Sequence, residues 1–143
     1  MIKFKIHPVV GIKEYYNIII FKDKLSMWKY SRRRFKNVPG SSSFEAACHS
    51  YTAYKITKKK KKKMNEIGSL LFYTGKICPS IVVHELAHAT NYFFNRHKIK
   101  LNFGGKPDSK WKEGEEVYAW TLGYMVDQFW KKYKGKINKN INY

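Results

Sequence analysis

Six consecutive lysines, Lys58 to Lys63, interrupt an otherwise strand-like stretch of this chain. Like charges in an unbroken run repel one another and cannot pack against apolar surface, so the run must stand in solvent. Before it lies FEAACHSYTAYKIT (44–57), with Tyr51, Thr52, Tyr54 and Ile56 in loose alternation; after it lies NEIGSLLFYTG (65–75), closed by Gly75. Aromatic and β-branched residues in such runs favour strands. The expectation is a β-hairpin whose exposed loop is the lysine run 58–63.

The rest of the chain supplies a core for that hairpin. Its 143 residues, 43% apolar and 17% aromatic, suit one folded domain. YNIIIF (16–21) reads as a buried strand, and Leu25, Trp28 and Tyr30 fall at helical spacing in the segment after it. NVPGSSS (37–43) is a loop by composition. CPSIVVHELAHATNYFFNRH (78–97) is a helix opened by Pro79, with Ser80 placed to satisfy free backbone donors; apolar residues on every side mark it as central and buried. After a Gly104-Gly105-Pro107 loop, EGEEVYAWTLGYMVDQFWKKY (113–133) is a second long helix, with glutamates at its start and lysines at its end, as the helix dipole favours. Residues 1–134 form the domain, and 135–143 are a flexible basic tail. The fold class is α+β: an antiparallel or mixed sheet packed on a central helix, with a second long C-terminal helix.

The chain carries 29 Lys and Arg against 10 acidic residues, a net charge of +19. Such an excess attracts polyanions. Lys58–Lys63 and Arg32–Arg34 are therefore the candidate contacts for nucleic acid or nucleoprotein. The alternative is a solvated surface, since abundant Lys, Asn and Ile together are what AT-rich coding sequence produces, and no usual nucleic-acid-binding motif is present. No apolar run reaches the roughly 18–20 residues of a membrane span, so no membrane partner is expected. The N-terminal segment lacks an apolar region followed by a cleavage site, so no secretory signal is read and a cytoplasmic location is expected. Cys48 and Cys78 are then expected to be reduced thiols.

IVVHELAHAT (81–90) carries the chemistry. His84 and His88 are four apart, which on a helix places both imidazoles on one face about one 5.4 Å turn apart, where they can converge on one ion. Glu85 projects beside them, within reach of a water at that ion: the H-E-x-x-H arrangement of zinc hydrolases. Two histidines and a glutamate in a buried helix would be costly without a partner, and a metal supplies one. The alternative is a core helix with satisfied histidines. A catalytic zinc takes three protein ligands and keeps one position open. The metzincin solution, a third histidine six residues on, fails because that position is Phe94, and His97 lies near the helix end. Glu113, Glu115 and Glu116 open the next helix. Glu116 is the chosen ligand, because Ala119 and Gly123 share its face and would let the two helices approach closely; Glu115 is its competitor. Tyr118, Tyr124 and His97 are candidates for contacting the oxyanion or substrate. Asn91, Asp127 and Thr121 are candidates for supporting the histidines.

With VVHELAHAT followed about thirty residues later by EEVYAW, the chain resembles the gluzincin branch of the zincin metallopeptidases, and more narrowly the short metallopeptidase-like proteins of bacteriophages and prophages. The resemblance covers roughly residues 44–133. It implies a Zn²⁺ site and hydrolysis of a peptide or protein substrate, and a place in a host cytoplasm or a virion. In that fold an exposed edge strand holds the substrate backbone; NEIGSLLFY is the candidate. The chain lacks the large C-terminal subdomain of most gluzincins. The rival reading is a zincin-fold protein, weakly active or inactive, that binds nucleic acid or a host or virion complex through its basic surface.

Overall fold

The computed structural model describes residues 1–35, 45–57, 60–99 and 112–141; the side chains at 57, 112–114 and 139–141 are outside the description. The expected loop at 37–43 therefore lies outside the described residues, as do Lys58, Lys59 and residues 100–111 of the expected loop at 98–112. The elements in order are β1 (Ile2–Ile6), β2 (Tyr15–Phe21), α1 (Lys24–Arg34), β3 (Ala47–Ser50), β4 (Tyr54–Thr57), β5 (Lys60–Lys63), β6 (Glu66–Tyr73), α2 (Pro79–Arg96) and α3 (Lys112–Ile141). The chain is α+β, as its pattern predicts. A mixed four-stranded sheet has the order β1-β2-β6-β3, and β4 and β5 form a separate two-stranded sheet.

β2 and β6 run parallel at the centre, with Ile18 opposite Leu70 and Ile20 opposite Phe72. Both faces of this pair are covered. Ile18, Ile20, Leu70 and Phe72 pack with α2 and α3, while Ile19, Phe21 and Leu71 pack with Met27 of α1. Strands buried on both sides lose polar alternation, which is why YNIIIF and SLLF read as continuous apolar runs. β1 pairs antiparallel with β2. Its IKFKI alternates as an edge strand should, with Lys3 and Lys5 in solvent and Ile6 buried.

The α1 helix starts at Asp23, whose carboxylate accepts the Ser26 N–H at 2.8 Å. It buries Met27 and Ser31. Leu25, which shares helical spacing with Trp28, is 56% exposed: the packed stripe of Met27 and Ser31 lies on the opposite side of the helix.

The hairpin is longer than expected and folded differently. β3 pairs antiparallel with β6. The pairing continues outward through Tyr51 N–H to the Ile67 carbonyl at 3.0 Å and Met64 N–H to the Ala53 carbonyl at 2.8 Å, into the β4–β5 ribbon. Lys60–Lys63 are therefore strand β5, not loop. An extended strand in water meets the same constraint as a loop, because its side chains point into solvent while its backbone bonds remain paired. β6, expected to be the free edge, lies between β2 and β3, so its backbone groups are already bonded on both sides. The free edge on this side is β3.

α2 is not apolar all round. Val82, Leu86, Ala89, Phe93 and Phe94 are buried, whereas Val83, His84, His88, Asn91 and Asn95 are exposed. The i, i+3, i+4 spacing of the buried set is the stripe of an amphipathic helix. Its middle is anchored by the Tyr16 hydroxyl, which donates to the Ala89 carbonyl at 2.7 Å. The Tyr16 ring crosses β6 at Gly68, where a Cβ would come within 2.6 Å of both that ring and the His49 carbonyl. α3 buries Thr121, Met125 and Phe129 and remains helical to Ile141, through the segment expected as a tail. Among the described residues, no helix is long and apolar enough to cross a membrane.

Candidate active site

The stripe that buries α2 dictates where its polar residues go. Packing Val82, Leu86 and Ala89 inward leaves His84 and His88 on the open face. Their Nε2 atoms lie 3.2 Å apart, with the rings nearly perpendicular at 85°. Zinc–nitrogen bonds of about 2.0–2.1 Å in a tetrahedral arrangement place two nitrogens about 3.3 Å apart. The pair therefore fits a zinc ion. The same spacing also suits an N–H···N bond between two neutral rings. Because the rings are exposed, the burial cost expected to demand a metal does not apply to them.

Glu85 is the buried member, 7% exposed. It sits where α2 meets the free edge of β3, and its carboxylate accepts the Cys48 backbone N–H. Burial raises its pKa above the usual carboxylate range, outweighing the opposing pull of His84, His88 and that N–H. A cleft of about 470 Å³ opens beside it, lined by Glu45, Ala46, Ser80, Ile81, His84 and Glu85. Sequence reasoning missed Glu45 and Ala46, because only the strand order brings the segment before β3 against α2. It also missed the Cys48 N–H, a backbone group without a sequence signature. The Cys48 thiol itself is pushed up to about 12, burial being the main cause, which disfavours the thiolate at neutral pH.

The other expected site residues are not gathered here. Among the described residues, no third His, Cys, Asp or Glu joins the pair. Glu115 and Glu116 are both exposed on α3, and the Glu113 side chain is outside the description. Ala119 and Gly123 are exposed, and a Cβ at Gly123 would meet nothing within 4 Å. The small-residue face chosen for close helix packing therefore faces away from the packed interface. Bulky Leu122, Met125 and Phe129 make that contact instead.

Tyr118 packs edge-on against Phe94 at 5.5 Å. Tyr124 lines a different pocket of about 370 Å³ with Pro8, Val10, Val117 and Trp120. Asn91 and Asp127 are exposed, and Thr121 is buried in the packing of α3. None of these three bonds either imidazole among the described residues.

His97 is held elsewhere. Its Nε2 pairs with Glu14, and its ring lies 4.5 Å from that of Phe93. The other Glu14 oxygen accepts Arg96 Nε at 2.9 Å, and Arg96 Nη1 donates to Thr52 at 3.0 Å. This network ties the end of α2 to the β1–β2 connection and the hairpin. Burial works to raise the Glu14 pKa, but the bonds and charges of His97 and Arg96 outweigh it and leave it lowered. A lowered folded value means stabilisation that is fully present above the ordinary value of 4.5 and lost as pH falls through the folded value. Glu14→Gln is thus expected to lower the melting temperature at neutral pH and to converge with the wild type in strong acid. Parallel melting curves from neutral pH to the acid limit check this; a constant gap across that range would contradict it.

Comparison of the chain with protein-family models, curated proteins and solved structures finds no match.

Proposed function

We propose that the chain is a zinc-dependent metallopeptidase in which His84 and His88 hold the metal and Glu85 is the general base. The observation that supports this most directly is the pair of imidazole nitrogens 3.2 Å apart on an open helix face, beside a buried carboxylate at a cleft. The third ligand in this reading is Glu116, with Glu115 as competitor; both are exposed on α3, and neither joins the pair among the described residues. A bound zinc ion supplies Lewis acidity, polarising a peptide carbonyl and lowering the pKa of a water.

The remaining chemistry belongs to the chain. Glu85 takes a proton from the attacking water and delivers it to the leaving amine. The Cys48 N–H fixes the orientation of that carboxylate, and burial raises its proton affinity. An extended peptide would lie in the cleft along the free edge of β3, the role expected of β6, because β3 is the terminal strand of the sheet and lies next to Glu85.

Elemental analysis of the purified protein tests the site without requiring activity. A single zinc per wild-type chain, absent from His84→Ala and from Glu116→Ala but retained by Glu115→Ala, is expected. Loss in Glu115→Ala instead would reassign the third ligand. A folded wild type that carries no zinc and takes up none when it is added would leave the two rings as a hydrogen-bonded surface pair and end the peptidase reading.

A further inference from the structure

We infer that the β4–β5 ribbon, continued by the cationic end of α1, is an arm that grips the phosphate backbone of double-stranded DNA without reading its bases. This goes beyond peptide hydrolysis and does not depend on it.

The register of the ribbon is the first argument. Lys55 stands directly opposite Lys62, and Ile56 opposite Lys61. Strand alternation therefore places Lys55, Lys60 and Lys62 on one side, and Lys61 and Lys63 with Tyr54 and Ile56 on the other. Like charges directly opposite one another destabilise a strand pair, and a two-stranded ribbon by itself is marginal in water. Nothing offsets this in apolar burial: Lys60–Lys63 are all exposed, and Ile56 is 80% exposed. The Lys61 ammonium sits 4.1 Å above the Tyr54 ring. A polyanion laid on the ribbon would convert its self-repulsion into attraction.

The second argument is continuity. Phe35, at the end of α1, stacks on His49 at 3.9 Å and lies 5.9 Å from Tyr51, and Ser31 Oγ is 3.1 Å from His49 Nε2. These contacts bring the exposed Arg32–Arg34 to the base of the arm. On the same helix, Trp28, Lys29, Arg32 and Arg33 line a surface depression of about 560 Å³, with the Arg32 guanidinium 4.9 Å from the Trp28 ring.

The occupant follows from shape and chemistry. A two-stranded ribbon fits the roughly 12 Å major groove of B-form DNA, and not the deep, narrow major groove of an A-form RNA duplex. Lysines at alternate positions on a strand are about 7 Å apart and act as point charges, suited to phosphates rather than to the donor and acceptor code of base edges. The arm should therefore bind duplexes of any sequence.

The test is fluorescence anisotropy with a DNA duplex of about 20 random base pairs, from about 50 to about 200 mM salt. The arm variant changes Lys60, Lys61, Lys62 and Lys63 to Gln. The charge-matched control changes the exposed Lys3, Lys131, Lys134 and Lys136 to Gln. The wild type is expected to bind with a steep salt dependence. The arm variant should lose about three to four units of the log–log salt slope and roughly a hundredfold in affinity at low salt, and the control should lose far less. Relief of the Lys55–Lys62 repulsion should leave the melting temperature of the arm variant unchanged or higher. If that variant fails to fold, Lys62→Glu replaces the repulsion with an opposite-charge pair and should still lower the slope. An arm variant or Lys62→Glu protein with an unaltered slope overturns the proposal. So does a control that weakens as much as the arm variant, or a wild type that prefers phosphatidylserine vesicles to the duplex.

Discussion

Glu85→Gln is expected to abolish peptide hydrolysis, by at least about 10²–10⁴-fold, while zinc content stays at the wild-type level. The size of the effect follows from what the amide can and cannot do. Glutamine has the shape of glutamate and still offers an oxygen to the Cys48 N–H, so the junction of α2 with β3 remains filled and bonded. It cannot accept a proton from water at neutral pH. The two histidines lie on the open face, one turn apart, and neither depends on the Glu85 charge for its position. Zinc content and cleavage of a fluorogenic peptide, measured on the same preparation, separate the two properties. Cleavage retained by the amide variant would remove Glu85 from the chemistry. Loss of zinc together with cleavage would mean that the carboxylate helps to hold the metal rather than acting as base.

Which residues could be read from the sequence follows the range of the interactions involved. His84, Glu85 and His88 come together through one turn of one helix, so spacing alone brings the imidazoles together and sets the carboxylate beside them. β2 and β6 declare themselves as apolar runs. β6 is buried without a break from Ile67 to Phe72, as an interior strand is, but Gly68 and Ser69 interrupt its apolar run and hide this in the sequence. IKFKI alternates at every position, so β1 is legible as an edge strand as well. The amphipathic stripe of α2 lies in the spacing of Val82, Leu86, Ala89, Phe93 and Phe94, while further apolar residues such as Val83 on the open face blur its edge. The Glu85–Cys48 contact and the Glu45–Ser80 cleft depend on the order β1-β2-β6-β3, which no local pattern specifies. Reading Glu116 from Ala119 and Gly123 assumed that small residues mark the helix interface, whereas α3 packs through Leu122, Met125 and Phe129.

Phe129→Ala is expected to cost about 3–5 kcal/mol, the range for truncating a fully buried aromatic ring. Phe129 is completely buried. Its ring meets Phe4 of β1 edge-on at 5.7 Å and Phe72 of β6 at 5.2 Å, so its loss separates α3 from both an edge and the centre of the sheet. Against a total stability of roughly 5–15 kcal/mol, that is a large fraction. Urea denaturation should show a lower midpoint with an unchanged slope; a loss under about 1 kcal/mol would mean that the core closes over the gap. The variant also sharpens the metal question. An ion that binds only the folded chain adds stability, about 4 kcal/mol at a thousand times its Kd. Added zinc should therefore restore most of what Phe129→Ala loses, and none of it when His84→Ala is present as well. Restoration that survives His84→Ala would place the zinc somewhere other than the open face of α2.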